Sequence, residues 1–366
     1  MSNAYVIPPD VTCLADYEEH ARGRLSAAAW AYIAGGAADG LTMRRNRDAY
    51  GSIQLKSRVL REMAGGSTRL ALFGTHYDVP ILLAPVAHHR LACADAEVAT
   101  VIGATAAGAV LVVSTEADTA IEEIAAAARG TFWFQLYIQH DRAFTHALVA
   151  RAERAGAKAI VVTVDAPVAG IRNQEQRAGI TPGSLGEAVN LRGLGPGPVA
   201  HAPLGCSLLF DGFLASAARW EDIARLRATT RLPLLLKGIM APEDAERAIA
   251  EGVDGIIVSN HGGRVLDTLP PTIEALPDIA ASVAGRIPIL VDGGIRRGTD
   301  VLKALALGAT AVMIGRPYIF ALAVAGPAGV AHALHLLRIE LEMAMVLTGC
   351  AILADIGPEV IWQRTR

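Results

Sequence analysis

Eight short apolar runs recur from residue 80 onward, and this recurrence constrains the fold more than any other feature. They are Ile81–Ala84, Val110–Val113, Phe132–Tyr137, Ile160–Val164, Leu234–Lys237, Gly255–Ser259, Ile289–Asp292 and Val312–Gly315. Near-continuous stretches of Ile, Leu and Val of this length read as strands buried on both faces. Alanine-rich, charge-dotted segments of helical period lie between most of them, such as Asp95–Ala107, Ala143–Ala155 and Pro242–Glu251. That alternation predicts a parallel sheet covered by helices. Eight such units predict a closed α/β structure, a (β/α)8 TIM barrel, in preference to an open doubly wound sheet.

The remaining segments are placed around this frame. Residues 1–79 read as an N-terminal helical cap. A helix is expected over Asp16–Ala34, stopped by Gly35-Gly36, with a second, polar helix over Thr42–Tyr50 and a short strand at Leu70–Phe73. No linker follows the cap, so residues 1–366 form one domain. The stretch 165–230 after the fourth strand is rich in Gly and Pro (Gly179, Pro182-Gly183, Gly186, Gly193–Pro198, Pro203) and reads as a mobile lid, followed by a helix near Trp220–Ala228. Its Arg192–Gly197 run contains a proline and follows no strand, so it is not a dinucleotide fingerprint. An apolar-rich helix over Ala331–Leu347 closes the outer ring or forms a subunit contact.

Composition narrows the class. The chain is 52% hydrophobic and 19% charged, as in a globular protein with a large core. A formal charge of −3 supplies no basic field for nucleic acid and no polybasic membrane patch. The apolar runs are too short and too interrupted to predict a membrane span. Met1–Cys13 lacks the features of a secretory leader, and Cys13, Cys93, Cys206 and Cys350 are too scattered for a zinc site or a disulfide framework. A cytoplasmic protein without a metal is expected. The adjacent His88 and His89 have no third residue spaced to complete a metal site.

In a barrel of this kind the working groups lie at the carboxyl ends of the strands. Here those ends carry Pro85-Val86-Ala87, Ser114, Gln135 and Tyr137, Thr163 and Asp165, Lys237, Ser259-Asn260-His261, Asp292-Gly293-Gly294 and Gly315-Arg316. The last two ends, with Arg296 nearby, have glycines whose N–H groups can approach an anion and arginines to clamp it, which predicts a phosphate site. His261 and Arg264 beside Gly262-Gly263 put a titratable imidazole and a guanidinium where one small anion can meet both. Lys237 at the barrel mouth needs an anionic partner; it suits a flavin whose ring gains charge on reduction, a Schiff base, or a salt bridge.

With these residues in view, the chain resembles the FMN-dependent 2-hydroxy acid oxidase and dehydrogenase family, which includes glycolate oxidase, lactate oxidase and mandelate dehydrogenase. The resemblance spans about Asp16 to Cys350. Its most specific pieces are Ser259–Arg264 with Leu266-Asp267, Asp292–Asp300, Phe134–Tyr137, Thr163–Asp165, Leu236–Gly238 and Gly315–Pro317. It implies His261 as active-site base and Asp165 as its supporting carboxylate. Arg264 and Arg172 would grip the substrate carboxylate, with Tyr32 and Tyr137 bonded to the substrate. It further implies FMN held by Pro85, Val86, Ala87, Ser114, Gln135, Thr163, Lys237 and Ser259, its ribityl phosphate by Asp292, Gly293, Gly294 and Arg296, and the phosphate also by Gly315 and Arg316. The implied partners are a small 2-hydroxy acid and O2, in a homo-oligomer, a tetramer by resemblance.

Two departures touch the substrate loops. Cys93–Glu97 stands where the family usually has a His-Pro-x-Gly-Glu-like segment, and Glu116 stands where glycolate oxidase-like members carry a bulky aromatic. The run Val86–Leu91 is closer to bacterial hydroxymandelate oxidase-type members, which favours an (S)-acid with an aryl or bulky side chain. Other readings are an FMN dehydrogenase using a quinone or protein acceptor, a phosphate-binding isomerase or aldolase using Lys237, and a flavin-binding protein without turnover.

Overall fold

The computed structural model describes residues 5–181, 183–195, 197, 205–210 and 212–362. Pro182, Pro196, Pro198 and Pro203 of the insertion, and residues 363–366, lie outside the described residues. The cap begins with α1 (Leu14–Arg24), α2 (Ala27–Ala34) and α3 (Leu41–Ser52). One helix is expected over Asp16–Ala34, but the chain breaks at Leu25-Ser26. There the Ser26 hydroxyl accepts the Ala29 N–H at 3.1 Å and starts a new helix. A hairpin follows, β1 (Leu70–Leu72) and β2 (Thr75–Tyr77). Its two-residue turn places Phe73 at φ 49° and Gly74 at φ 73°, the left-handed pair that matches strand twist. The second strand escapes sequence reading because Thr75 and His76 form no apolar run.

Eight parallel strands then fall on the eight predicted runs: β3 (Ile81–Leu83), β4 (Val110–Val113), β5 (Phe132–Leu136), β6 (Ile160–Thr163), β7 (Leu234–Ile239), β8 (Gly255–Val258), β9 (Ile289–Val291) and β10 (Ala311–Ile314). β10 pairs with β3, Met313 beside Leu82, and closes the barrel. The later helices are α4 (Ala96–Ala106), α5 (Ile121–Ala127), α6 (Arg142–Arg154), α7 (Asn173–Arg177), α8 (Trp220–Thr229), α9 (Pro242–Ala250), α10 (Thr272–Val283), α11 (Gly298–Ala306) and α12 (Arg316–Thr348).

Strand alternation divides the core in two. Leu82, Val112, Trp133, Val161, Leu235 and Ile257 fill the barrel interior together with Leu70, Leu72 and Tyr77 of the hairpin. The intervening residues, such as Leu83, Leu111 and Val162, face the helices. Phe73 packs on Trp133 with ring centroids 5.9 Å apart, so the hairpin stoppers the amino-terminal end of the barrel. Chemistry is left to the carboxyl end.

α12 is longer than expected because two helices join across a kink at Ala325-Gly326, ahead of Pro327. It is long and apolar enough to cross a membrane, yet 61% of its apolar window is buried inside the protein. It packs on α1, α4 and α11, and the outer ring of the barrel accounts for its hydrophobicity. Part of the insertion is pinned to the barrel. Buried Asn190 accepts the Ile121 N–H at 3.0 Å and donates to the Thr119 carbonyl at 3.2 Å.

Candidate active site

Side chains sew the strand ends together before any ligand arrives. Gln135, at the end of β5, is buried; its Oε1 accepts the Ser114 hydroxyl at 3.3 Å and the Thr115 N–H at 3.1 Å, and its Nε2 donates to Thr163 Oγ1 at 3.0 Å. One amide thereby aligns the ends of β4, β5 and β6. On the other side, Lys237 Nζ donates to Ser259 Oγ at 2.7 Å and pairs with Asp292 Oδ2 at 2.8 Å, joining β7, β8 and β9. Burial works against the Lys237 charge, but Asp292 and Asp165 outweigh it and raise its pKa.

A cavity opens above these ends. Every residue predicted for the site lines it except Asp165 and Ser259, which stand behind His261 and Lys237 respectively. His261 occupies a left-handed backbone position, φ 56°, that turns the chain sharply off β8. Its Nδ1 lies 2.8 Å from Asp165 Oδ1. Burial tends to raise the Asp165 pKa, but the hydrogen bond and charge of His261, with Lys237, hold it below the ordinary carboxyl value. An ionised carboxylate only accepts, so Nδ1 carries a proton, and in the neutral ring Nε2 is the acceptor. Asp165 Oδ2 is buried with no hydrogen-bond partner among the described residues.

Arg264 and Arg172 are brought together by a residue that sequence reading did not single out. Glu175, on α7, accepts from Arg264 Nη2 at 3.1 Å and from Arg172 Nη1 at 3.3 Å. The Arg264 guanidinium also donates to the Tyr32 and Gly35 carbonyls and lies 5.0 Å from the Tyr32 ring centre. The Tyr32 and Tyr137 hydroxyls bond no described residue, and burial raises the pKa of both phenols. Asn46 was missed as well. On α3 it exchanges amide hydrogen bonds with Asn260 at 2.8 and 2.9 Å, locking the cap onto the loop after β8. The Asn46 bond and the Glu175 bond to Arg264 join residues more than eighty positions apart, which no local pattern signals, and the Arg172–Glu175 pair, three positions apart, gains its meaning only once Arg264 joins it.

The far end of the cavity is cationic and under-bonded. Arg296 Nε and Asp292 Oδ1 are buried with no hydrogen-bond partner among the described residues. Burial and nearby Arg47 push Arg296 down to about 10; burial with Arg264 and Arg296 pushes Arg316 down to about 9. The Arg316 side chain lines the cavity while donating to the carbonyls of Ile33, Gly262 and Gly35 at 3.0, 2.9 and 2.6 Å, so it also ties the cap to the barrel. Gly293 and Gly294 sit at φ 98° and 88°. An arginine donor without a partner beside turn glycines suits a phosphate, and the bare Asp292 oxygen suits hydroxyl donors. A phosphorylated polyhydroxyl chain such as that of FMN matches both.

The comparisons with known proteins agree with this geometry. Residues 21–363 match the family model for FMN-dependent dehydrogenase. An L-lactate oxidase of Roseobacter sp. (strain GAI101) is 46% identical over 99% of this chain and 98% of its own length. The 2-hydroxyacid oxidase 2 of Rattus norvegicus is 41% identical over 96% and 98%. Among solved structures, a mandelate oxidase variant with (S)-mandelic acid superposes with a TM-score of 0.87 at 40% identity, covering 97% of this chain and 99% of its own. The eight-stranded closed barrel and this end-to-end similarity place the chain in the FMN-dependent dehydrogenase family.

Proposed function

We propose that the protein oxidises an (S)-2-hydroxy acid to the 2-oxo acid using FMN, and that O2 takes the electrons to give H2O2. The carrying observation is the His261–Asp165 pair, 2.8 Å apart, in which His261 lines one cavity with Arg264, Arg172, Tyr32 and Tyr137 while Asp165 stands behind it. Bound FMN supplies a two-electron acceptor. In this reading Arg264 and Arg172 exchange part of their bonding to Glu175 for the substrate carboxylate, which fixes the acid and offsets its charge. Tyr32 and Tyr137 offer the substrate oxygens their unbonded hydroxyls. His261 Nε2 takes a proton from the reacting centre, and Asp165 stabilises the resulting imidazolium through Nδ1. Arg296 and the turn at Gly293-Gly294 would hold the phosphate, Asp292 would take the ribityl hydroxyls, and Lys237 would offer the flavin a positive charge. That charge disfavours the aldolase reading, because a Schiff base needs a neutral amine and Lys237 is held protonated by Asp292.

The test is anaerobic mixing of the yellow protein with a panel of (S)- and (R)-2-hydroxy acids, followed by air. Bleaching by (S)-acids alone, with colour and H2O2 on aeration, is the expected result. No bleaching by any acid overturns the proposal, and bleaching that air does not reverse points to another electron acceptor. We further place the protein in the cytoplasm, where its four free cysteines stay reduced, and as a homo-oligomer. Exposed Ile339, Met343, Val346 and Leu347 along one face of α12 support self-association, which size-exclusion chromatography with light scattering tests.

A further inference from the structure

Glu116 puts a carboxylate on the wall of the cavity that holds His261. It follows β4 in the loop anchored by its own N–H, bonded to Ser114 Oγ at 3.1 Å. It lines the cavity that holds His261 and also the adjoining space beneath the insertion, so it stands where the two meet. Tyr32, Tyr137 and Arg172 line both spaces with it. Its side chain makes no hydrogen bond or ion pair with any described residue, unlike the other carboxylates around the site. Asp165 is bonded to His261, Asp292 to Lys237, Glu175 to two arginines, and Asp118 to His88.

The basic neighbours of Glu116 already bond other carboxylates. The His88 imidazole already spends Nδ1 on Asp118 at 3.1 Å and packs edge-on against the Tyr32 ring at 5.8 Å. Arg172 and Arg264 are shared with Glu175. In the proposed pose those arginines take the substrate carboxylate, and the third substituent of the reacting carbon is left facing the Glu116 wall. An apolar or aryl group there would desolvate a carboxylate and return no bond to it. A second carboxylate would meet like charge. A hydroxyl or an ammonium would supply the missing donor.

Resting on the oxidase reading above, we infer that Glu116 makes the enzyme selective for short (S)-2-hydroxy acids whose side chain ends in a hydrogen-bond donor. This differs from the aryl or bulky side chain favoured by the resemblance of the Val86–Leu91 loop. A site built to bond a polar group rejects the analogue lacking it far more strongly than an apolar pocket rejects an added hydroxyl.

The experiment measures anaerobic flavin reduction of the FMN-loaded protein by three acids of matched size: (S)-2,4-dihydroxybutanoate, (S)-4-amino-2-hydroxybutanoate and apolar (S)-2-hydroxypentanoate. Wild type is expected to favour each donor-bearing acid by about tenfold or more. Glu116→Leu inverts that order, and isosteric Glu116→Gln weakens the ammonium acid more than the hydroxyl acid. Retained yellow FMN reports that each variant is folded. Equal or faster reduction of wild type by 2-hydroxypentanoate, or an unchanged ratio in Glu116→Leu, overturns the inference while leaving the oxidase reading standing. Absence of bleaching by all three acids and by lactate overturns both.

Discussion

At the scale of single residues, the reaction end of the cavity depends on carboxylates whose partners differ. Asp165 bonds His261 and keeps one buried oxygen bare, whereas Glu175 is spent on two guanidinium groups. Replacing His261 by Ala is expected to leave yellow FMN bound while slowing substrate-driven bleaching by about 10²–10⁴-fold or more; stopped-flow absorbance reads this directly. Asp165→Asn keeps the shape but removes the charge that faces Nδ1. Because the folded Asp165 pKa is lowered, its stabilising contribution is present above the ordinary carboxyl value of about 4 and is lost as pH falls through the lowered value. Urea unfolding should therefore find Asp165→Asn less stable than wild type at pH 7 by about 1.5–3 kcal/mol. The gap closes in acid; an equal gap at both pH values would refute the linkage. His261, Arg264, Lys237 and Asp292 were legible in the sequence because each ends a strand run with a group too costly to bury idly. Glu175 and Asn46 were not, because their roles exist only once distant segments meet.

At the scale of elements, short-range chemistry explains the boundaries that periodicity missed. No proline or strong stop signal lies between polar α1 and alanine-rich α2, so sequence pattern alone joins them; the Ser26 cap separates them. Ser26→Ala should lower stability by about 0.5–2 kcal/mol, seen as a lower thermal midpoint with unchanged FMN affinity. The loop after β9 is more demanding. A Cβ on Gly294 would lie 1.9 Å from the Asn46 carbonyl oxygen of α3, at φ 88°. Gly294→Ala must therefore displace α3 as well as strain the turn. It is expected to weaken FMN binding and to lower the midpoint together, measured by flavin fluorescence titration and calorimetry. A variant with wild-type FMN affinity would show that α3 and the phosphate turn are not coupled.

At the scale of the whole molecule, the cap, the barrel and the cavity depend on one another through buried charge. Arg316 reaches three carbonyls across cap and barrel, and Arg296 keeps a buried donor without a partner. FMN is thus expected to stabilise the apoprotein well beyond riboflavin, which lacks the phosphate. Ligand at a hundred times its dissociation constant contributes about 2.7 kcal/mol. In Arg296→Leu the advantage of FMN over riboflavin in thermal midpoint should largely vanish; an undiminished advantage would assign the phosphate elsewhere. The sequence by itself determined the eight strands, their order and the polar groups at their ends, because burial on both faces imposes a local apolar signature and strand ends are local too. Tertiary structure alone decided that Asn46 locks the cap, that Glu175 pairs the arginines and that the Glu116 side chain has no partner among the described residues. Those facts depend on distances between segments far apart in the chain, and no local pattern encodes them.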